Sequence, residues 1–412
     1  MTFQGRINLL LIAYACEPNK GSEPGVGWNW VINLSKIVNV TVITRQNNRT
    51  SIESELQKNK YNNIKFLYHD IEGLTKIKKK SSILLKLYYY IWVMSLRKYL
   101  KKQITLADYD IIHFITFNTF TIIPPVTELG LKSVWGPIGG GILGNTESFK
   151  KLSISSYSKE VARNFFVKKL AKSFYLNKAL LKFDKVLFAN TDTAKLLGLK
   201  NNIKIELETG IDKSIIADFD TIDRSSDRIN ILASGILEPR KGFHLLFDAL
   251  TLVKCNYELN LLGDGYLKKR LKNYVLKENL TSVNFIGKVP FDDVINFYQS
   301  SDIFVFPSLR DTSGNVVLEA MSQGLPIIAF DHHGMHDILT DECAVKIPVT
   351  NYKKMVKDLA SAIDMLANDR KIRIKMGKAS IQRIKDKYLW EDKANKMVEI
   401  YKEVLNENSS SS

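Results

Sequence analysis

The stretch DIFVFPSLRDTSGNVVLEAMSQGLPIIAFD, residues 302–331, decides the fold. DIFVFPS (302–308) is an almost continuously apolar run, which predicts a strand covered on both faces. LRDTSGN supplies turn residues, and VVLEAM begins a helix that is apolar nearly all round. LPIIAFD (325–331) is a second buried strand. Strand, turn, helix and strand make a βαβ unit, and hence an open parallel sheet.

The same alternation runs outward through the chain. Strands are expected at 7–15, 40–46, 64–69, 110–117, 132–137, 185–190 and 203–208, and again at 229–235, 257–263, 283–287, 302–308, 325–331 and 344–349. At 412 residues the chain exceeds what one core organises, so two domains are expected. Residues 1–210 form the first, 211–227 a polar linker and 228–385 the second. NENSSSS (406–412) reads as a disordered polar tail. Two doubly wound sheets bind ligands in the crevice beyond their strand C-termini.

Bulk composition excludes several classes. With 45% hydrophobic and 25% charged residues, the chain is globular rather than disordered. Cys16, Cys255 and Cys343 are far apart, which argues for a reducing compartment and against a disulfide framework or structural zinc. The apolar run near the N-terminus is shorter than a signal peptide's core and reads as a first strand. The +16 net charge is uneven: residues 1–215 hold 32 Lys+Arg against 16 Asp+Glu, and residues 216–412 hold 27 of each. An anionic partner is therefore expected for the first half. Within it, residues 76–102 carry nine basic residues and no acid around LYYYIWVM. That apolar part is too short to span a bilayer but suits a membrane surface; a core helix with a solvated basic face is the plainer reading. Residues 150–185 are basic too, with ten Lys+Arg and two acids.

Asn315, Val316 and Val317 fall in the first turn of the expected helix, where free N–H groups attract an anion. Gly314 permits close approach of a ligand. Asp311 could cap that helix, or face the ligand. Glu319, in an apolar helix, needs a partner, and ligand hydroxyls would serve. A diphosphate on the helix end, with one acid on a ribose diol and another on a second polyol, describes a nucleotide sugar. Arg240 and Lys241, after a strand and at a helix start, could hold the diphosphate. Gly263 and Gly265 mark another strand–turn–helix junction, and the glycine clusters KGSEPGVGW (20–28) and WGPIGGG (135–141) suggest close backbone approach or tight turns. His113 sits in an apolar strand, as a core histidine or a site residue. His332, His333 and His336, in DHHGMHD, read as a strand-end loop rather than a metal site.

In this order, YACEPNKGSEPGVGW, WGPIGGG, EPRKG and PSLRDTSGNVVLEAMSQGLP resemble the retaining glycosyltransferases of family four, across nearly the whole chain. The resemblance implies a GT-B fold, α/β with two facing Rossmann-like doubly wound parallel-sheet domains. A C-terminal helix, 386–405, would cross back onto the first domain. Carried over by residue, Glu319 would hold the ribose, Asp311 and His113 the transferred sugar, and Arg240 and Lys241 the departing diphosphate. Gly25, Gly27, Gly235, Gly263, Ser313, Gly314 and the N–H groups of Asn315 to Val317 would complete the donor site. The base would lie near Lys288 and Val289, and the acceptor near Gly139 and Gly140. Two positions depart from the family pattern. Asp311 replaces a usual Glu, and Ile236-Leu237 stands where an Arg-Leu pair is common.

The expectation is thus a metal-independent retaining hexosyltransferase of bacterial surface-glycan synthesis. It would be cytoplasmic and peripheral on the inner membrane face, held there by residues 76–102. It would need no cofactor beyond a nucleotide-sugar co-substrate, a UDP-sugar first and GDP-mannose second. Its acceptor would be a lipid-linked or other saccharide, and nucleic acid is not an expected partner. The alternatives are a GT-B sugar-nucleotide epimerase and a non-catalytic basic protein binding nucleic acid or membrane.

Overall fold

The computed structural model describes residues 5–71, 73, 82–198, 203–221, 224 and 228–406. Residues 407–412 of the tail expected at 406–412, residues 76–81 of the basic segment and part of the linker lie outside these, while Asn406 is helical. The chain divides into two compact units: residues 1–141, 169–208 and 390–412, and residues 142–168 and 209–389.

The first unit is built on β1 (Asn8–Ile12), α1 (Ser22–Ser35), β2 (Asn39–Thr44), α2 (Arg49–Lys58), β3 (Ile64–Tyr68), α3 (Ser82–Gln103), β4 (Ile111–Phe114) and β5 (Lys132–Ile138). Helices α4 (Thr146–Leu152) and α5 (Ile154–Ala171) follow, then α6 (Phe174–Leu180), β6 (Lys185–Phe188), α7 (Thr191–Leu197) and β7 (Ile203–Ile205). Among the described residues its strands form one seven-stranded sheet, ordered β3-β2-β1-β4-β5-β6-β7 and parallel throughout. Strand order reverses between β1 and β4, where Leu11 pairs with His113.

The second unit continues through β8 (Ile229–Ser234), α8 (Phe243–Leu250), β9 (Tyr257–Leu262), α9 (Lys268–Lys277), β10 (Val283–Gly287), α10 (Phe291–Gln299) and β11 (Ile303–Phe306). It ends with α11 (Asn315–Ser322), β12 (Ile327–Phe330), α12 (His333–Ile338), β13 (Ala344–Ile347), α13 (Tyr352–Asn368) and α14 (Arg370–Lys387). Its described strands form a six-stranded parallel sheet, β10-β9-β8-β11-β12-β13, with the reversal between β8 and β11. Each of the thirteen strands among the described residues falls inside, or within a residue of, an expected run. All four residues of β4, β11 and β12 are buried, as strands covered on both faces require.

The chain then returns: α15 (Trp390–Asn406) belongs to the first unit. Its buried Trp390, Ala394, Met397, Val398, Tyr401 and Val404 recur at helical spacing and join the core of α1. Trp390 meets Trp30 edge-on at 5.3 Å between ring centroids. Truncating such a buried ring to alanine costs about 3–5 kcal/mol. Lys393, on the same helix, is buried, pairs with Glu206 and donates to the Leu207 carbonyl at 2.7 Å.

Two boundaries differ from the sequence reading. Residues 142–168, expected in the first domain, pack in the second unit. There His244 Nε2 lies 3.0 Å from the Ser148 carbonyl, Asn145 donates to the Thr350 carbonyl at 3.2 Å, and Phe149 and Leu152 enter the second core. The described part of 211–227 is also no free linker. Ala217 donates to the Ser322 carbonyl at 3.0 Å, and the Phe219 ring lies against Gly324 and Gly377.

Candidate functional site

In the second unit, the loops after β8 and β11 meet where strand order reverses, the crevice that doubly wound sheets use for ligands. Three neighbouring strands end in glycines with positive φ: Gly235 (155°), Gly263 (120°) and Gly287 (90°). A Cβ on Gly263 would stand 2.0 Å from the Gly235 carbonyl oxygen, so this edge stays bare by steric necessity. Gly235 lies beside the Lys241 side chain, whose Cδ a Cβ there would meet at 3.6 Å. Lys288, exposed, and Val289, half-buried, follow directly after β10 on this edge.

The β8 loop closes as a 3₁₀ turn, Pro239–Lys241, ending at Gly242 with φ 68°. A Cβ there would lie 1.9 Å from the Pro307 carbonyl, which fixes this loop against the end of β11. Leu309 N–H donates to the Arg240 carbonyl at 2.8 Å, and Lys241 pairs with Asp311 Oδ2. Arg240 pairs with Glu238 and lies 3.5 Å from Asp311 Oδ2. Burial would push the Asp311 carboxyl up, but the Lys241 ammonium, Arg240 and the Gly314 N–H together hold it below the ordinary carboxylate range.

Asp311 also fixes its own loop. Its Oδ1 accepts the Gly314 N–H at 3.2 Å, and its carbonyl accepts the Gly334 N–H at 3.4 Å. Asp311 thus does not cap α11: it holds the N–H of Gly314, the residue before the helix, while Lys241 takes the other oxygen. Gly314 is left-handed (φ 55°) and starts α11 without a side-chain cap. The first turn of α11 therefore presents the Asn315 and Val316 N–H groups toward the end of the sheet, while Val317 N–H is bonded to the Gly314 carbonyl at 2.8 Å. Ser313, buried, lies 3.3 Å from Asn315 Oδ1.

Glu319, one turn along α11, sits 2.9 Å from the Tyr298 hydroxyl of α10. Burial pushes its carboxyl up from the ordinary range, against the pull of that hydroxyl. Tyr298 is itself fully buried, and burial beside Glu319 raises its phenol well above its usual value. Behind the loop, Arg310 lies 3.1 Å from Glu160 of α5, a nearly buried carboxylate that also meets Arg163 at 3.5 Å. A Cβ on Gly144 would stand 2.3 Å from Glu160 Oε1, so the backbone is threaded tightly past this pair. Sequence reasoning missed Tyr298, Glu238 and the Arg310–Glu160 pair. Alternating charge near the motif was the available signal for the last two, and nothing in FDDVINFYQS singles out its tyrosine.

In the first unit, Gly25 and Gly27 lie under the β1 loop: Cβ atoms there would stand 1.9 Å from the Lys20 and Ala15 carbonyls respectively. That loop meets the end of β4, where Ala15 N–H donates to Thr116 Oγ1 at 3.1 Å. Glu23, which the motif reading passed over, accepts the N–H of Phe117 at 2.5 Å, and Phe117 is left-handed (φ 59°). Gly139 bridges to Thr119, and a Cβ on Gly140 would stand 3.1 Å from Thr119 Oγ1.

His113 corrects an expectation. It is 0% exposed, with Nδ1 2.6 Å from the Tyr401 hydroxyl and Nε2 2.9 Å from the Gly136 carbonyl. Both ring nitrogens are engaged inside the core, and burial lowers its pKa to about 4. The core reading of this histidine holds, and no ring atom is left for a sugar. His332 Nε2 lies 2.9 Å from the Ser308 carbonyl and His336 Nδ1 2.8 Å from Asp331. Among the described residues no group of three His, Cys, Asp or Glu side chains is placed to hold a metal ion.

Residues 215–383 match the model of the family described as glycosyl transferases group 1. An uncharacterised glycosyltransferase of Methanocaldococcus jannaschii is 27% identical over 222 residues, covering 53% of this chain and 62% of that protein. A lipopolysaccharide core biosynthesis glycosyltransferase of Rhizobium meliloti is 28% identical over 208 residues, covering 47% of this chain and 58% of that one. The alignments thus span less than two thirds of either relative. Among solved structures, sucrose-phosphate synthase of Thermosynechococcus elongatus aligns with TM-score 0.71 at 18% identity, covering 98% of this chain and 100% of that one. HepE of Anabaena, solved with UDP and glucose, aligns with TM-score 0.62 at 14% identity, covering 96% and 99%. The fold class is the one read from the sequence: two Rossmann-like parallel-sheet units of the GT-B type.

Proposed function

We propose that this chain is a glycosyltransferase that moves a sugar, with retention at the anomeric carbon, from a nucleotide-sugar donor to a saccharide acceptor. One observation carries the reading. At the switch point of the second sheet, Lys241 and Arg240 converge on Asp311 beside the uncapped start of α11, with Glu319 one turn further on. A diphosphate needs cations and free N–H groups; two polyols need carboxylates. In this reading the α11 N-terminus, Lys241 and Arg240 stabilise the charge that develops on the leaving diphosphate. Glu319 accepts the ribose hydroxyls. Asp311, already tied to Lys241, orients the donor sugar as the diphosphate draws that lysine away. The base lies over the strand-end glycines near Lys288 and Val289. The reaction is metal-independent.

The uridine diphosphate held by HepE supports a UDP-sugar as first choice of donor, with GDP-mannose second. The lipopolysaccharide core assignment of the Rhizobium relative supports a lipid-linked or related surface-glycan acceptor, with the chain peripheral on the cytoplasmic face of the membrane. No described helix is long and apolar enough to cross one. Gly139 and Gly140, at the end of β5, would border the acceptor.

The test is release of free nucleoside diphosphate from single UDP- and GDP-sugars, with a detergent extract of lipid-linked saccharides as acceptor. Release with one donor, dependent on that extract and lost in Glu319→Ala, is expected. Silence with every donor would leave a binding protein, and interconversion of the donor sugar without an acceptor would make it an epimerase.

A further inference from the structure

Helix α6 turns the wrong face outward for a helix bathed in water. Along it and the residues just after, Leu176, Leu180 and Phe183 are buried, while Phe174, Tyr175, Lys178, Leu181 and Lys182 are exposed. The exposed positions stand at i, i+1, i+4, i+7 and i+8, which is one helical face. Its apolar members are 72%, 83% and 68% exposed for Phe174, Tyr175 and Leu181. Scattered exposed apolar residues are ordinary, but three large apolar side chains grouped with lysines on one helical face mark a surface that something covers. The end of α5 leading into α6 has the same character: Leu170 is exposed, and Lys169 and Lys172 stand beside it.

Charge identifies the occupant. Residues 161–183 contain six Lys+Arg and no acid. The flanking carboxylates are already committed, Glu160 to Arg310 and Arg163, and Asp184 to Lys132 and the Ser133 N–H. A second copy of this chain seated on the same face would set lysines against lysines with no carboxylate between them. A sheet of anionic head groups would instead meet every cation and take the rings at its own depth.

We propose that the exposed face of α6, with the turn entering it from Lys169, docks on an anionic lipid surface. This rests on reading the chain as an enzyme of lipid-linked acceptors. It moves the principal anchor away from α3, the described part of residues 76–102, whose outward face is weaker: Leu87, Tyr90 and Met94 are 51%, 48% and 38% exposed.

The experiment is co-sedimentation of the full chain with vesicles of phosphatidylcholine, with or without phosphatidylglycerol. Wild type should pellet with the anionic vesicles only. Phe174→Ser/Tyr175→Ser/Leu181→Ser and Lys178→Gln/Lys182→Gln should each weaken that binding about tenfold or more, and Leu87→Ser/Tyr90→Ser/Met94→Ser should weaken it less. A Phe174→Trp variant gives a second readout, a blue-shifted emission on anionic vesicles. Three results would overturn the proposal: no vesicle binding by wild type, unchanged binding in both α6 variants, or a wild-type dimer that those variants dissolve. UDP binding by the same variants separates this surface from the donor site. Vesicle binding lost with UDP binding intact supports the surface, and UDP binding absent from wild type counts against the donor site alone.

Discussion

The Lys241–Asp311 pair offers the sharpest test of how the donor loop is built. Both side chains are nearly buried, 12% and 14% exposed. At an effective dielectric near 20, their gross attraction at contact is roughly 5 kcal/mol, most of it offset by the desolvation of both ions. Breaking a buried pair from one side typically costs about 3–5 kcal/mol. Here Arg240 at 3.5 Å and the Gly314 N–H at 3.2 Å would still serve Asp311, so Lys241→Met should cost less, about 2 kcal/mol. Asp311→Asn should cost a similar amount by stranding the lysine. In the double variant the Asn oxygen can still accept the Gly314 N–H and no charge is stranded, so the loss should fall to about 1 kcal/mol. The coupling between the two positions is then about 3 kcal/mol. Calorimetry of the second unit's transition reads it: each single variant should lower the melting temperature by roughly 4–8 °C and the double by roughly half as much. A double variant that melts as low as the sum of the singles would refute the pairing.

Other consequences follow from the same geometry. Glu319 has a carboxyl raised by burial. The folded chain therefore holds its proton more tightly than the unfolded chain, and stability falls as pH rises from the unfolded value through the folded one. Glu319→Gln should accordingly stabilise the second unit at neutral pH, by about 0.5–2 kcal/mol in thermal unfolding, while weakening nucleotide-sugar binding. Gly242→Ala should cost about 3 kcal/mol or more, because its Cβ would strike the Pro307 carbonyl at 1.9 Å from a left-handed residue. A melting temperature within a degree or so of wild type would contradict this. His113 and His244 are both held near pKa 4 by burial, against an ordinary 6.5. A base with a lowered folded pKa is protonated first in the unfolded chain, so stability drops as pH falls from about 6.5 to about 4, by up to roughly 3 kcal/mol for each. His113→Gln should flatten that slope in denaturation curves across the window. An unchanged slope would show that its ring is not held neutral.

Most of the fold could be read because parallel strands covered on both faces are written as short apolar runs. β8, β11 and β12 are examples, each closed by glycine or turn residues. Strand order was not legible, since nothing in INILASG or DIFVFPS states which neighbour it takes. The domain boundary failed for a physical reason. Residues 142–168 carry the basic composition of the chain around them, yet Phe149 and Leu152 find their core in the second unit. At the site, Asp311, Glu319, Arg240 and Lys241 were legible because charge beside an apolar strand end needs an explanation. Their actual partners were less so: the Tyr298 hydroxyl on Glu319 and the Lys241 ammonium on Asp311 come from tertiary packing. His113 shows the limit from the other side. Its strand position suggested a ligand, but Tyr401, far along the chain on α15, satisfies its ring. The exposed rings of α6 were visible only as composition, because burial decides which face of NKALLK looks outward.

The most direct measurement is a calorimetric titration of UDP into the wild-type chain and into Glu319→Ala. Saturable one-site binding by wild type, weakened tenfold or more in the variant by loss of the carboxylate bonded to ribose, is the predicted result. Binding of equal strength in both, or none in wild type with UDP or GDP, would contradict a nucleotide-sugar site at the β8–β11 switch point.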